Sequence, residues 1–277
     1  MPLKALRGLG PSITDDLTTR QDSRAPTATK SVFLSSPGTT TPKANGVFNR
    51  AEHLIDILYE DNHCLAVSKP CGLSTQAPAS NDSLEARVKD YLRERYQKKG
   101  RIYLGVPHRL DRVVSGVVLF ARQTKSAQRL AQQFQERTVE KCYLAIVEGR
   151  IAPAEGEWED WIRKIPDEAR VDAFSTERED ARHALTRYRV LEQDEDCALV
   201  ELLPQTGRMH QLRIQTASRG WSVLGDTLYG ASPFFDAETI ALHARSLSFD
   251  HPISYERMTI EAPVPATLRL NARARLR

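Results

Sequence analysis

The sequence of 277 residues contains no apolar run long enough to span a membrane as a helix, so no membrane association is expected. Its four cysteines, Cys64, Cys71, Cys142 and Cys197, are scattered and form no CxxC pair. With no secretory signal ahead of them they read as reduced packing thiols, and a cytoplasmic location is expected. The seven histidines show no HxxxH spacing and no grouping with cysteine, which argues against a metal site. Glycine-rich phosphate loops are missing too, so no nucleotide or nicotinamide cofactor is expected. Nor does one sign of charge dominate: 39 Lys and Arg face 36 Asp and Glu, a net charge of +3. That balance does not demand a nucleic-acid partner, but concentrated arginines leave room for one basic face.

Residues 1–50 have few apolar anchors and are rich in Ser, Thr and Pro, as in Ser35-Ser36-Pro37-Gly38-Thr39-Thr40-Thr41-Pro42. Such a segment buries too little surface to offset its ordering entropy, so a disordered tail is expected. Lys4, Arg7, Arg20 and Arg24 raise the alternative of a transit peptide, against which Asp15, Asp16 and Asp22 count. Residues 51–277 are expected to form one folded domain, ample to bury a core.

Within that domain, 55–61 and 64–69 are strand candidates around a polar turn. Residues 83–96 predict a helix, with Leu84, Val88, Tyr91, Leu92 and Tyr96 at helical spacing and Ser83 as cap. A second helix is predicted over 124–137, with Leu130, Ala131 and Phe134 facing inward. Further strands are predicted at 117–121, 141–149, 184–191, 197–203 and 258–262, with a strand or two within 151–183 and a short terminal helix.

Charged chemistry gathers in a few blocks. Pro107-His108-Arg109-Leu110-Asp111-Arg112-Val113-Val114-Ser115-Gly116 runs straight into the apolar strand Val117–Ala121, which places Asp111 on the loop feeding a core strand. Arg109 and Arg112 flank it, and nearby positive charge favours a charged carboxylate. Alone, an Asp beside Arg at such a junction is more often a cap or a structural ion pair. Lys69-Pro70-Cys71-Gly72-Leu73 reads as a turn, and Lys141-Cys142-Tyr143-Leu144-Ala145-Ile146-Val147-Glu148-Gly149 as a strand whose Tyr143 could be a core aromatic with a tied hydroxyl. Gln205-Thr206-Gly207-Arg208-Met209-His210-Gln211-Leu212-Arg213 crowds polar side chains into what reads as the first turns of a helix stopped by Gly220, where anions such as phosphate are attracted. Val223-Leu224-Gly225-Asp226-x-x-Tyr229-Gly230 and Leu242-His243-Ala244 follow.

These blocks, in this order from about residue 52 onward, resemble those of the RluA-type pseudouridine synthases, which isomerise uridine in ribosomal and transfer RNA. The resemblance implies an α+β fold, a pseudouridine synthase catalytic domain with a mixed, largely antiparallel sheet flanked by helices and loops. It implies that Asp111 is the catalytic carboxylate, acting as nucleophile or as base on the sugar, that Tyr143 lies against the base and helps remove the C5 proton, and that Arg213 pairs with Asp111. Arg109, His108, Lys69, Arg208, His210 and Gln211 are then candidates for binding RNA, with Arg109 able to fill the space left by a flipped nucleotide. The implied partner is structured RNA, ribosomal or transfer, the working form a monomer, and the blocks at 223–230 and 242–252 position loops without chemistry of their own. Two positions depart from the family pattern: Val114 stands where Thr is usual, and Gln215 where His is usual. A non-catalytic RNA-binding relative is the rival reading; it would keep the basic groups but need not keep Asp111, Tyr143 and Arg213 together.

Overall fold

The computed structural model describes residues 55–78, 80–233 and 239–268; the expected tail over 1–50 and the residues after 268 lie outside the described part. Among the described residues ten strands form one sheet: β1 (Asp56–Glu60), β2 (Cys64–Lys69), β3 (Ser115–Ala121), β4 (Glu140–Glu148), β5 (Glu155–Lys164), β6 (Val171–Phe174), β7 (Arg182–Gln193), β8 (Cys197–Pro204), β9 (Leu242–Asp250) and β10 (Arg257–Glu261). The spatial order is β1-β2-β3-β9-β4-β8-β7-β5-β6, with β10 added to β9. Only the β3–β9 pair is parallel. The expected mixed, largely antiparallel α+β architecture is therefore what the chain adopts.

Every residue of β3 is buried, as its unbroken apolar run requires of a strand covered on both faces. Alternation divides those residues between two cores. Leu65, Val67, Val118 and Phe120 join Leu84, Val88 and Leu92 of helix α1 (Leu84–Arg95). Cys64, Ala66, Val117, Leu119 and Ala121 face Ala127, Leu130 and Phe134 of helix α2 (Thr124–Glu136). Ser83 caps α1, its Oγ accepting the Ala86 N–H at 3.2 Å. The predicted inward face of α2 needs one correction: Ala131 is exposed. One residue past Leu130 lies about 100° around the helix, whereas Ser126 and Phe134, four residues either side, share Leu130's face. Tyr96 is likewise largely exposed, its hydroxyl donating to Glu60.

The third helix, α3, is shorter than the sequence implied, covering only Gln211–Ala217. Arg208, Met209 and His210 precede it in a turn, and His210 holds a left-handed φ of 50°. The helix-terminus argument for anion binding there is thus replaced by the side chains themselves. The strand missing from the sequence reading is β9, which lies between β3 and β4 at the middle of the sheet. After β10 the chain continues without a helix as far as Leu268.

Two contacts hold the β3–β9 joint. Gly116, at φ 118°, approaches so closely that a Cβ there would lie 2.2 Å from the Ala244 carbonyl oxygen. Ser115 Oγ lies 2.8 Å from His243 Nδ1, both residues buried. The loop that ends at this joint carries Asp111.

Candidate active site

The backbone around Asp111 is pinned on both sides. Thr75 Oγ1 donates to the Leu110 carbonyl at 2.9 Å and accepts the Leu110 N–H at 3.1 Å. Lys69, fully buried, directs its ammonium at the carbonyls of Pro70 (2.9 Å), Leu73 (2.7 Å) and Arg112 (3.0 Å), which uses all three of its donors. Leu110 and Val114 are buried and anchor the loop by packing. With its backbone fixed, the Asp111 side chain projects into a cleft and keeps 34% of its surface exposed.

Two side chains from the turn and first residues of α3 meet it there. Arg213 Nη1 lies 3.4 Å from Asp111 Oδ2, and His210 Nε2 lies 3.6 Å from the same oxygen. Arg213 is itself held elsewhere: Nε and Nη2 donate to Asp226 at 2.6 and 2.7 Å, a bidentate pair with both residues buried. Burial works against the guanidinium's charge, but Asp226, Asp111 and Tyr229 outweigh it and raise its proton affinity. The Tyr229 hydroxyl accepts the Val171 N–H at 3.0 Å and lies 2.9 Å from His210 Nδ1. That contact holds the ring so that Nε2 is the nitrogen facing Asp111. Burial lowers the His210 pKa while Asp111 opposes the shift.

Tyr143 enters the cleft from β4 at a register irregularity between Cys142 and Tyr143 against β9. Such a bulge turns a side chain away from the regular ladder direction. Burial first, then the charge of Asp111, pushes the phenol pKa upward, and among the described residues no hydrogen bond holds its hydroxyl. A core tyrosine tied to a neighbour is therefore not what the fold builds here.

The cleft has a volume of about 770 Å³. Among the described residues lining it, Asp111 is the single carboxylate, set against Arg109, Arg112, Arg137, Lys141, Arg208 and Arg213. A groove of this composition attracts a polyanion while holding one negative charge at its centre.

The structure redistributes the residues expected to touch RNA. Arg109 is exposed and Arg208 lines the cleft, its Nε donating to the His183 carbonyl at 2.8 Å. Lys69, His108 and Gln211 do otherwise. Lys69 has no donor left for a ligand, and burial lowers its pKa to about 8. His108 stacks on Phe134 at 4.7 Å and its Nε2 accepts the Leu119 N–H, while burial takes its pKa to about 3. Gln211 is buried, accepting from Thr206 and the Arg208 N–H and donating to Thr186 and Leu185. These three shape the cleft wall; a short polar side chain beside a reactive one reads alike whether it faces a ligand or the backbone behind it. Gln215 also lies in this buried network, bonded to Thr186, Trp158 and Asp160, away from Asp111.

The sequence reading missed Asp226 and Tyr229, which it placed in a block without chemistry. The signal was present: a carboxylate and a tyrosine flanked by glycines, downstream of an arginine that needed a partner. Elsewhere, Asp61, Cys64 and His251 bring metal-type donor atoms within 4.8 Å of one another. Asp61 already accepts the His63 and Cys64 N–H groups and lies 2.8 Å from His251 Nε2, so the group is a hydrogen-bonded knot joining two hairpins. Among the described residues no helix is long and apolar enough to cross a membrane.

Comparison with known proteins gives the family. The family model described as RNA pseudouridylate synthase matches residues 63–218. The chain belongs to the RluA-type RNA pseudouridine synthases. The dual-specificity RNA pseudouridine synthase RluA of Vibrio cholerae is 36% identical over 218 residues, 76% of this chain and 82% of that one. The ribosomal large subunit pseudouridine synthase C of the same organism is 31% identical over 254 residues, 88% of this chain and 76% of its own. The solved structure of human RNA pseudouridylate synthase domain containing 4 superposes with a TM-score of 0.66 at 25% identity, covering 80% of this chain and 92% of that chain. As a pseudouridine synthase the enzyme is an RNA-directed isomerase.

Proposed function

We propose that this synthase converts a specific uridine of ribosomal or transfer RNA to pseudouridine, with Asp111 as the catalytic carboxylate. The observation that carries the reading is a single carboxylate in a basic cleft, on a pinned loop, faced by a buried arginine and an imidazole. The names of the Vibrio cholerae relatives support the substrate class. The reaction breaks the C1′–N1 bond, turns the detached uracil, and forms C1′–C5; the C5 proton passes to solvent and N1 gains one. Bonds are redistributed within one nucleotide with no net redox change, so a cofactor is not required.

Asp111 acts either by attacking C1′ or by taking a proton from the sugar. Arg213 and His210 steady the carboxylate without neutralising it fully, since Arg213 is shared with Asp226. Tyr143 remains a neutral phenol, so its ring packs on the base and the C5 proton goes to a group with greater basicity, the Asp111 carboxylate once released. The target nucleotide must leave its stack to reach this cleft, and the exposed Arg109 is placed to occupy the gap. In this reading residues 51–277 are the catalytic domain, residues 1–50 a dispensable tail, and the protein works as a cytoplasmic monomer.

The test is release of tritium from RNA carrying 5-tritiated uridine, extracted from a strain lacking the gene. Wild type should release tritium in single turnover and Asp111→Asn should not. No release by wild type would favour the RNA-binding relative; undiminished release by Asp111→Asn would remove Asp111 from the chemistry.

A further inference from the structure

One part of the cleft carries positive charge that the chain leaves unneutralised. Arg137 is the exposed residue that ends α2, at φ 61°; Lys141 is the second residue of β4; Arg208 stands on the turn after β8. Among the described residues none of the three pairs with a carboxylate, although Arg163, Arg187, Arg189, Arg219 and Arg245 elsewhere on the chain all do. What holds them is neutral: Lys141 Nζ donates to the Thr206 carbonyl at 2.9 Å and Arg208 Nε to the His183 carbonyl at 2.8 Å. A carbonyl orients a cation but does not discharge it. Two ammonium protons of Lys141 and the Nη groups of Arg208 remain to be used.

The three are close enough to repel. Burial lowers the Lys141 pKa to about 8, with Arg137 and Arg208 adding to the effect, and Arg208 is depressed by burial, then by Arg137 and Arg182. Gly207, next to Arg208 in the chain, lies beside the ammonium: a Cβ there would sit 3.9 Å from Lys141 Nζ. Partly dehydrated like charges held together with donors unspent cost stability unless an anion joins them.

We propose that Arg137, Lys141 and Arg208 form a subsite for one backbone phosphate of the RNA, adjoining the nucleotide whose base enters the cleft. The proposal rests on the function argued above and adds to it where the backbone runs. A phosphodiester fits because it supplies the missing charge and several acceptor oxygens; a base edge supplies no charge, and phosphate contacts are what fix register on a nucleic acid. Arg137 and Lys141 thereby join the binding surface, and Arg208 meets backbone instead of base.

The test is the salt dependence of binding to a short single-stranded oligouridylate by filter binding. For single strands the slope of log K against log salt changes by about 0.7 for each phosphate that the protein ceases to neutralise. Arg137→Gln, Lys141→Gln, Arg208→Gln and the triple variant are compared with wild type, each checked by thermal melting. Arg137 is exposed, so its variant reports even if the others fold poorly. One shared phosphate predicts weakening by about tenfold and a triple variant whose slope falls by about 0.7 in all. A triple variant whose slope falls by about three times that would overturn the subsite in favour of a diffuse basic face. Unchanged slopes, or a wild type that fails to hold the oligomer at low salt, would also overturn it. The tritium assay separates the two readings: absence of release by wild type removes the catalytic role while the slopes still decide the subsite.

Discussion

Arg213 is shared by two carboxylates, and removing each should have opposite consequences. Asp226 is 1% exposed and takes two of the guanidinium's donors at 2.6 and 2.7 Å. Asp226→Asn leaves a buried arginine with half its partner, and breaking a buried pair costs about 3–5 kcal/mol. For a domain of this size each kcal/mol lowers Tm by about 2–4 °C, so a fall of roughly 6–20 °C is expected. Asp111 is different: 34% of its side chain is exposed and its contact with Arg213 is 3.4 Å. Exposed, long ion pairs contribute about 0–1 kcal/mol, so Asp111→Asn should shift Tm by at most about 4 °C while abolishing tritium release. Asp226→Asn, if refolded and assayed well below its melting point, should retain measurable release, reduced because Arg213 is no longer aimed. Thermal melting and single-turnover release on the same preparations decide the matter. If Asp226→Asn melts with wild type, or Asp111→Asn is the less stable of the two, the division of labour between the carboxylates is wrong.

Lys69→Met should lower stability by about 1–3 kcal/mol in urea unfolding, because the buried Leu73 carbonyl loses its donor and the part-buried Pro70 and Arg112 carbonyls lose theirs, and should slow tritium release in the folded fraction by displacing the Asp111 loop. Burial brings the folded pKa of His243 to about 4 and of His108 to about 3, below the unfolded value of 6.5. The unfolded chain therefore binds more protons below pH 6.5; this contribution is complete above 6.5 and is lost as pH falls toward 4, at up to about 1.4 kcal/mol per pH unit for each ring. Melting from pH 7 to 4.5 should show the decline, and His243→Asn should flatten it; a pH-independent Tm would show that neither ring is held neutral. A chain shortened to begin at Gly46 should match the full chain in Tm and release rate, and a lower Tm would mean that the tail packs on the domain. Gln215→His should leave release within a few-fold of wild type, since Gln215 serves a buried network away from Asp111; loss of release would tie that network to catalysis.

How much of this was legible in the sequence depended on whether a residue's neighbours are near it in the chain. Strands β2 and β3 and helix α1 follow local periodicity and capping, so Val117–Ala121 and Ser83 announced themselves. The Asp111–Arg213 pair, 102 residues apart, came from the family blocks alone, since no periodicity links a loop to a distant turn. Strand β9 was missed because Leu242–Asp250 mixes His, Arg and Ser with its apolar residues, and two of these, His243 and Arg245, are spent on contacts with Ser115 and Glu261. Lys69 misled for the reason that its burial follows from three backbone carbonyls, which the side-chain sequence does not display. Asp226 was passed over because its role is to satisfy Arg213, and satisfaction is visible only once both are in place.

That sharing bears on how the cleft keeps one carboxylate useful. Had Arg213 formed its bidentate pair with Asp111, the carboxylate would have had two oxygens committed to one tight partner and little reach toward a sugar. Asp226 absorbs that pairing inside the core, and what remains for Asp111 is a single longer contact together with the His210 imidazole at 3.6 Å. The imidazole is fixed in turn by Tyr229, whose ring also lies 5.2 Å from the Arg213 guanidinium carbon. A left-handed backbone at His210, worth about 1–3 kcal/mol of strain, is tolerated because it delivers the ring to this place. Loss of the Tyr229 hydroxyl in Tyr229→Phe should therefore act through His210: the imidazole is no longer held with Nε2 facing Asp111, and release should fall while RNA affinity holds. Equal losses in rate and affinity would show that Tyr229 meets the RNA directly.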